Sequence, residues 1–295
     1  MNFFGRKSLS LTEAILAALA YSDLFSYPLT SEEVWFWLPK KATQKTVVDQ
    51  LRLLVDQGRI SYQAPFYFLN QAEIITSRRK KEVVSKQKML QAKKISRQLA
   101  RFSWVGLVAI SGNLAMRAAE SDDDIDFLII APIGHLYRAR LISVLVTEAW
   151  GLRRRPNQQL APDKVCLNLF LEADNLLLPP FRRDFYTAHE ALQLLPISGN
   201  NDFYQKFLFD NGWLADYLPQ AYQGRFTGFE KTDLLTKNSL DKNAFEEISR
   251  FGQLVYRKLR CRCQNNLDRQ LFFHPQDQRK IILERFEKNW QKLTS

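Results

Sequence analysis

At 295 residues the chain is long enough to bury a substantial core and to divide into more than one unit. Its 46% hydrophobic and 25% charged content excludes wholesale disorder, and no apolar run reaches the roughly 18 residues that a membrane-spanning helix needs. A formal charge of +11, from 42 Lys and Arg against 31 Asp and Glu, favours phosphate-bearing partners without choosing between a nucleotide, a nucleic acid and a membrane surface.

The chain opens with "LTEAILAALAYSDLF", an apolar stretch capped by Ser10 or Thr12 that reads as an amphipathic helix rather than a signal peptide. "YPLTSEEVWFWL" predicts a second, short helix behind a Thr30 or Ser31 cap. A third follows, with Val47, Leu51, Leu54 and Val55 on one stripe and Gly58 at its end. "RISYQAPFYFL" alternates weakly and turns near Ala64-Pro65, as a hairpin would. Three helices and a hairpin over residues 8–72 resemble a winged helix-turn-helix domain. That resemblance implies a third helix suited to a DNA groove, here offering Gln44, Lys45, Gln50 and Arg52 but diluted by Asp49 and Asp56. Docking against another protein surface and a purely structural role stand beside the DNA reading.

Residues 73–102 read as a basic linking helix whose thin apolar face is Val83, Val84, Leu90, Ile95 and Leu99. The pattern then changes to strand, short helix, strand, helix, strand over residues 103–178. "WVGLVAI", "DIDFLIIA" and "VCLNLFLE" are the strands, and "GHLYRARLISVLVTEAWGL" is the longer helix. Residues 179–295 read as helical, with segments at 185–194, 203–210, 243–259 and 277–293 that close one side of the sheet with Trp213, Tyr256, Phe286 and Trp290. Three cysteines, two of them at Cys261 and Cys263, are too few and too closely spaced for a zinc hook and suit a reducing cytoplasm. The expected location is cytoplasmic.

The stretch "SGNLAMRAAESDDDIDFLII" places four aspartates in five positions ahead of a buried strand. Strand periodicity separates them. Asp124 and Asp126 point to one side and can share a divalent cation, whereas Asp122 and Asp123 fall in the preceding turn. Gly112 permits close backbone approach to a phosphate, and the helix start behind it favours an anion. Residues 108–130 resemble the signature of the DNA polymerase beta-like nucleotidyltransferase superfamily, including bacterial proteins carrying a nucleotidyltransferase domain: a Gly-Ser at the end of one strand, then Asp-x-Asp on the next.

The resemblance implies an α+β fold with a small mixed sheet and flanking helices. It also implies Mg²⁺ held by Asp124 and Asp126, a nucleoside triphosphate (NTP) touched by the Gly112-Asn113 turn, and a third carboxylate on a later strand. The product would be a nucleoside monophosphate joined to a small-molecule, RNA or protein acceptor. Two departures stand out: Asn113 replaces the serine, and Asn168 falls where the third carboxylate is expected, on a face shared with Cys166, Phe170 and Glu172. A neutral amide accepts no proton at neutral pH, which leaves Glu172 and Asp163 as candidate carboxylates. Lys164, at the strand entrance, and Arg153 to Arg155 before it can meet phosphate, although a helix C-terminus also welcomes such cations. His135, His189 and His274 are expected to be solvated or packed rather than chemical. The alternative function is a nucleotide-sensing, DNA-binding regulator.

Overall fold

The computed structural model describes residues 9–69, 72–155, 158, 161–229, 270–272 and 278–294, and every structural statement below concerns these. The expected helix at 243–259, Tyr256, Cys261, Cys263 and His274 lie outside them.

The N-terminal unit contains helices α1 (Leu11–Asp23), α2 (Ser31–Phe36) and α3 (Gln44–Asp56) with strands β1 (Leu29–Thr30), β2 (Ser61–Gln63) and β3 (Phe66–Phe68) in the antiparallel order β1-β3-β2. Ser10 and Thr30 each close a reciprocal capping box, with Glu13 and Glu33. Val47, Leu51 and Leu54 form the buried stripe of α3, as its periodicity requires. Its outer face exposes Lys45, Asp49 and Arg52, while the Gln50 side chain turns inward to donate to Thr12 Oγ1 at 3.0 Å.

Helix α1 is buried from Ala14 to Ser22 because "AILAALAYS" offers no polar face. Ala14, Ile15, Leu16 and Leu19 enter the core of the N-terminal unit, and Ala17, Ala20 and Tyr21 enter the core beneath the larger sheet.

Helix α4 (Glu73–Leu99) is the expected long helix, and it buries Ile95 and Leu99 as expected, but its N-terminal two thirds turn a different face inward. Val83 and Leu90 are each 61% exposed, and the inward row runs Arg78, Ser85, Lys88, Ala92, Ile95 and Leu99. Two buried cations hid that row from the hydrophobic pattern. Arg78 is clamped by both carboxylate oxygens of Glu33 at 2.7 and 2.9 Å, by Glu82 at 2.9 Å, and between the rings of Tyr27 and Phe66. Lys88 Nζ donates to the carbonyls of Ser121 and Asp123 at 3.1 and 2.8 Å and to Asp163 Oδ1 at 2.8 Å.

The larger sheet has five strands in the order β7-β4-β5-β6-β8: β4 (Leu107–Ile110), β5 (Ile125–Ala131), β6 (Val165–Glu172), β7 (Leu195–Gly199) and β8 (Gln270–Phe272). Only β5 and β6 are parallel. The connection between them is helix α6 (Leu136–Ala149), and a single turn, α5 (Gly112–Ala115), joins β4 to β5. This is a mixed α+β architecture, with a central mixed sheet flanked by helices. The two edge strands come from the region expected to be helical: Leu195–Gly199 contains Pro and Gly and is recruited by pairing with β4. The other helices are α7 (Phe185–Gln193), α8 (Asp202–Asp210), α9 (Leu214–Tyr217), α10 (Pro219–Arg225) and α11 (Gln278–Thr294). Phe286 of α11 is fully buried against Tyr21 and Phe185, and Trp290 packs on both cores.

Because Arg78 is the charged link between α4 and α2, Arg78→Met is expected to destabilise the protein by about 3 kcal/mol, since it strands Glu33 and the Pro28 carbonyl without their donor. Urea denaturation measures this; a loss within experimental error would show that the cluster contributes nothing net.

Candidate functional site

The site grows from strand β5, which buries both faces. Ile125, Phe127, Ile129 and Ala131 enter the core on the α4 side, and Leu128 and Ile130 enter the core that contains α1 and α7. Period two therefore turns Asp126 toward the α7 side, at the end of the strand where side chains are half-buried. The backbone of Asp126 is tied to the turn after β4, since Ser111 N donates to Asp126 O at 3.0 Å. Gly112 follows with φ +65°, and a Cβ there would lie 2.6 Å from Asp126 Oδ2. The close approach that only glycine permits is thus made by the chain's own carboxylate. The helix behind Gly112 is one turn long, too short to carry the expected dipole toward an anion.

The other turn residues behave as the sequence suggests. Asp123 Oδ2 accepts from Asn113 Nδ2 at 3.0 Å and from Glu120 N at 2.9 Å, so it organises the turn, and Asp122 is exposed. Asn113 thus faces the turn and not the acidic pair.

Strand β6 supplies the other wall. Asp126 pairs with Cys166 and Phe127 with Leu167, but Leu128 pairs with Leu169, so Asn168 is the extra residue of a bulge. The bulge breaks the single face expected for Cys166, Asn168, Phe170 and Glu172. Cys166 and Asn168 stay beside Asp126, with Cys166 Sγ donating to Asn168 Oδ1 at 2.7 Å and Asn168 Nδ2 donating to Asp126 Oδ1. Phe170 turns into the opposite core. Glu172 pairs with Ala131 at the far end of β5, where its carboxylate accepts from Gly134 N. The expectation that Glu172 joins the aspartate pair is therefore corrected by the bulge and by distance along the strand. Asp163 is also taken away, bound to the buried Lys88.

What the structure brings together is Asp124, Asp126 and Cys166, whose ligand atoms all lie within 4.8 Å of one another. Arg154 joins them, its Nη1 donating to Asp124 Oδ2 at 2.6 Å. The triple arginine separates by position: Arg154 reaches the acidic pair, while Arg153 and Arg155 pair with Glu148 of α6 at 3.5 and 2.9 Å. Lys164 Nζ donates to the Gly151 carbonyl at 2.6 Å, at the rim of an open basic cavity of about 610 Å³ that Arg153 and Arg155 also line.

Electrostatically the pair is under-compensated. Burial, and then the Asp124 charge, push the Asp126 carboxyl well above the usual carboxylate range, against the Asn168 hydrogen bond and Arg154. Burial, and then the two aspartates, likewise push the Cys166 thiol up, so it stays protonated. Glu190 on α7 also raises Asp126, which places that carboxyl within electrostatic reach of the pair. Two neighbouring residues of α7 are shifted in opposite directions. Glu190 is itself raised to about 7 by burial, and its neighbour His189, stacked on Tyr21 at 3.8 Å, is held down to about 3. His135 is buried at the N-terminal boundary of α6 rather than solvated.

No family model, no curated protein and no solved structure matches this chain. Among the described residues, no helix is long and apolar enough to cross a membrane.

The two shifts on α7 give pH effects of opposite sign. His189 is depressed, so below about 6.5 the unfolded chain binds a proton that the folded protein refuses. Its contribution to stability is lost as pH falls from about 6.5 toward 3. Glu190 is raised, so its contribution is complete below about 4.5 and is lost as pH rises through about 7. Between 4.5 and 6.5 the two slopes oppose. Relative to wild type, His189→Phe is expected to make stability fall more steeply with pH in this window, and Glu190→Gln to make it rise. Urea denaturation across the window tests both, and parallel profiles for all three proteins would refute the assignment.

Proposed function

We propose that this protein is a Mg²⁺-dependent nucleotidyltransferase, joining a nucleoside monophosphate from an NTP to an acceptor and releasing pyrophosphate. The observation that carries the reading is the pair Asp124 and Asp126, two carboxylates converging beside a glycine turn at the mouth of a buried strand. The N-terminal helices and hairpin read as a winged-helix unit and the larger sheet as the nucleotidyltransferase-like core.

The donor set fits a hard cation. Two carboxylates supply charge, and the raised Asp126 carboxyl marks a crowded negative site that a divalent ion would relieve. Asp124 and Asp126 would hold Mg²⁺, which when bound supplies charge neutralisation for the phosphate oxygens. The protonated Cys166 thiol is a poor magnesium ligand and closes the wall instead. Arg154 takes the place of part of that charge on Asp124 and stands ready for phosphate, since a guanidinium suits either oxyanion. Lys164, Arg153 and Arg155 line a neighbouring basic cavity that leads from the same loop.

The position on β6 beside Asp126 holds Asn168, whose amide fixes that carboxylate but takes no proton. The acceptor's class, whether small molecule, RNA or protein, is tested by the assay below.

A second reading rests on the free outer face of α3. Its Lys45, Arg52 and Asp49 are exposed together with strand β2, which leaves this surface open to duplex DNA and the acidic pair as a nucleotide sensor. Salt-dependent duplex binding that falls when Lys45 and Arg52 are neutralised would favour it.

Calorimetric titration of ATP, CTP, GTP and UTP with Mg²⁺ is expected to show binding of at least one nucleotide that is lost in the Asp124→Asn, Asp126→Asn double variant. Tight binding unaffected by the double change would remove the site, and pyrophosphate release with candidate acceptors reports turnover. Arg154→Gln removes a cation that competes for Asp124, so Mn²⁺ titrated without nucleotide is expected to bind severalfold more tightly. Unchanged Mn²⁺ affinity would show that Arg154 does not occupy the cation's place.

A further inference from the structure

A second cavity, of about 280 Å³, lies where α1, α2, α5 and α7 meet. Leu195, on its wall, pairs with Ile110, the last residue of β4, and Ala115 and Met116 close it from the glycine turn. The cavity therefore sits at the same end of the sheet as the acidic pair, behind the turn, and shares no lining residue with that pair. Helix α7 supplies His189 and Gln193 to the cavity wall.

The walls are aromatic. The rings of His189 and Tyr21 stack at 3.8 Å and 11°, and Trp37 lies 5.2 Å from the His189 ring. Phe36 forms the side beneath Arg225. Polar atoms on these walls lack partners: Tyr21 Oη, both ring nitrogens of His189, Gln193 Oε1 and Arg225 Nε make no hydrogen bond among the described residues. Tyr21, His189 and Gln193 are 1%, 2% and 3% exposed. A buried polar atom left without a partner is destabilising, and five of them on residues that line one cavity are a concentration that packing alone does not explain. They offer both donors and acceptors, because a neutral imidazole and a phenol each supply one of either kind.

The charge is one-sided. Glu33 is the acidic residue on the wall, and both its oxygens are engaged by Arg78. Arg117 and Arg225 also line the cavity, and neither has an acidic partner among the described residues. Arg117 stands at the mouth, exposed and with φ 59°.

We propose that this cavity binds a small planar aromatic molecule carrying one anionic group, carboxylate or phosphate, with its ring against the Tyr21, His189 and Trp37 layer and its anion at Arg117 and Arg225. Aromatic faces receive the ring. The unpartnered atoms of His189, Tyr21 and Gln193 read the polar edge of the ring, and the arginines favour an oxyanion. The volume lies just under the range of about 300–1,000 Å³ typical of drug-sized ligands, so the occupant is small. Burial keeps His189 neutral, which suits hydrogen bonding to an uncharged edge rather than an ion pair. The site stands whether or not Asp124 and Asp126 hold a metal.

The test is calorimetric titration of the full chain in EDTA. Adenosine monophosphate and indole-3-carboxylate serve as ring-bearing anions, adenosine as the ring alone and inorganic phosphate as the anion alone. At least one ring-bearing anion is expected to saturate with an affinity about tenfold above that of either half. Arg225→Met and His189→Phe, the latter keeping the ring stack, are each expected to weaken it about tenfold. Melting curves for every variant guard against misfolding as the cause. The Asp124→Asn, Asp126→Asn double variant is expected to bind as wild type does. Failure of both ring-bearing anions to saturate in the millimolar range overturns the proposal. So does unchanged affinity in folded Arg225→Met and His189→Phe, or loss of binding in the aspartate double variant, which would place the probe in the acidic site instead.

Discussion

The parallel pairing of β5 with β6 is the constraint on which the site depends. It sets Asp126 against Cys166, and the bulge at Asn168 then holds a second polar side chain at the same carboxylate. Without the bulge, alternation would bring Phe170 to the face shared by Cys166 and Asn168. With it, the apolar half of β6 turns into both cores while the polar half stays at the aspartates. A parallel pair needs a crossover, and α6 supplies it together with the arginine loop, so the same topology delivers Arg154 to Asp124.

Charge is distributed by the same logic. Two aspartates at the mouth of a buried strand require compensation, and the chain supplies it from separate elements: Arg154 from the loop before β6, Asn168 from the bulge and Lys88 from the long helix beneath the turn. Lys88 acts on carbonyls and on Asp163, and so holds the turn that presents Asp124. Much of the excess basicity of α4 remains exposed, but Arg78 and Lys88 are structural cations buried with their partners. Net charge alone could not separate those two roles.

Element type was largely legible in the sequence because it follows from local pattern. The helices of the N-terminal unit, the hairpin, the long helix and the three strands at 107–110, 125–131 and 165–172 all appear where apolar periodicity and capping residues place them. Asp122 and Asp123 separated from Asp124 and Asp126 by strand alternation, a rule of one residue's length. The edge strands were not legible: "LPISG" has too little apolar run to announce a strand and becomes one only because β4 offers it an open edge. Toward the N-terminus of α4 the inward face was misread, at Val83 and Leu90, because Arg78 and Lys88 are polar residues in core positions, with partners more than 30 residues away.

The sequence by itself determined the glycine turn, the pair Asp124 and Asp126, and the elements other than the edge strands, since these depend on neighbours within a few residues. The tertiary structure decided what stands beside that pair. It removed Glu172 to the far end of the strand, assigned Asp163 to Lys88, and brought Cys166, Asn168 and Arg154 toward the aspartates. It also gathered Tyr21, His189 and Arg225 from three separate helices, and Trp37 from the end of a fourth, around one cavity. Registers, bulges and helix docking set these meetings. Each balances burial against hydrogen bonding across the whole fold, and so is not encoded in any single stretch of chain.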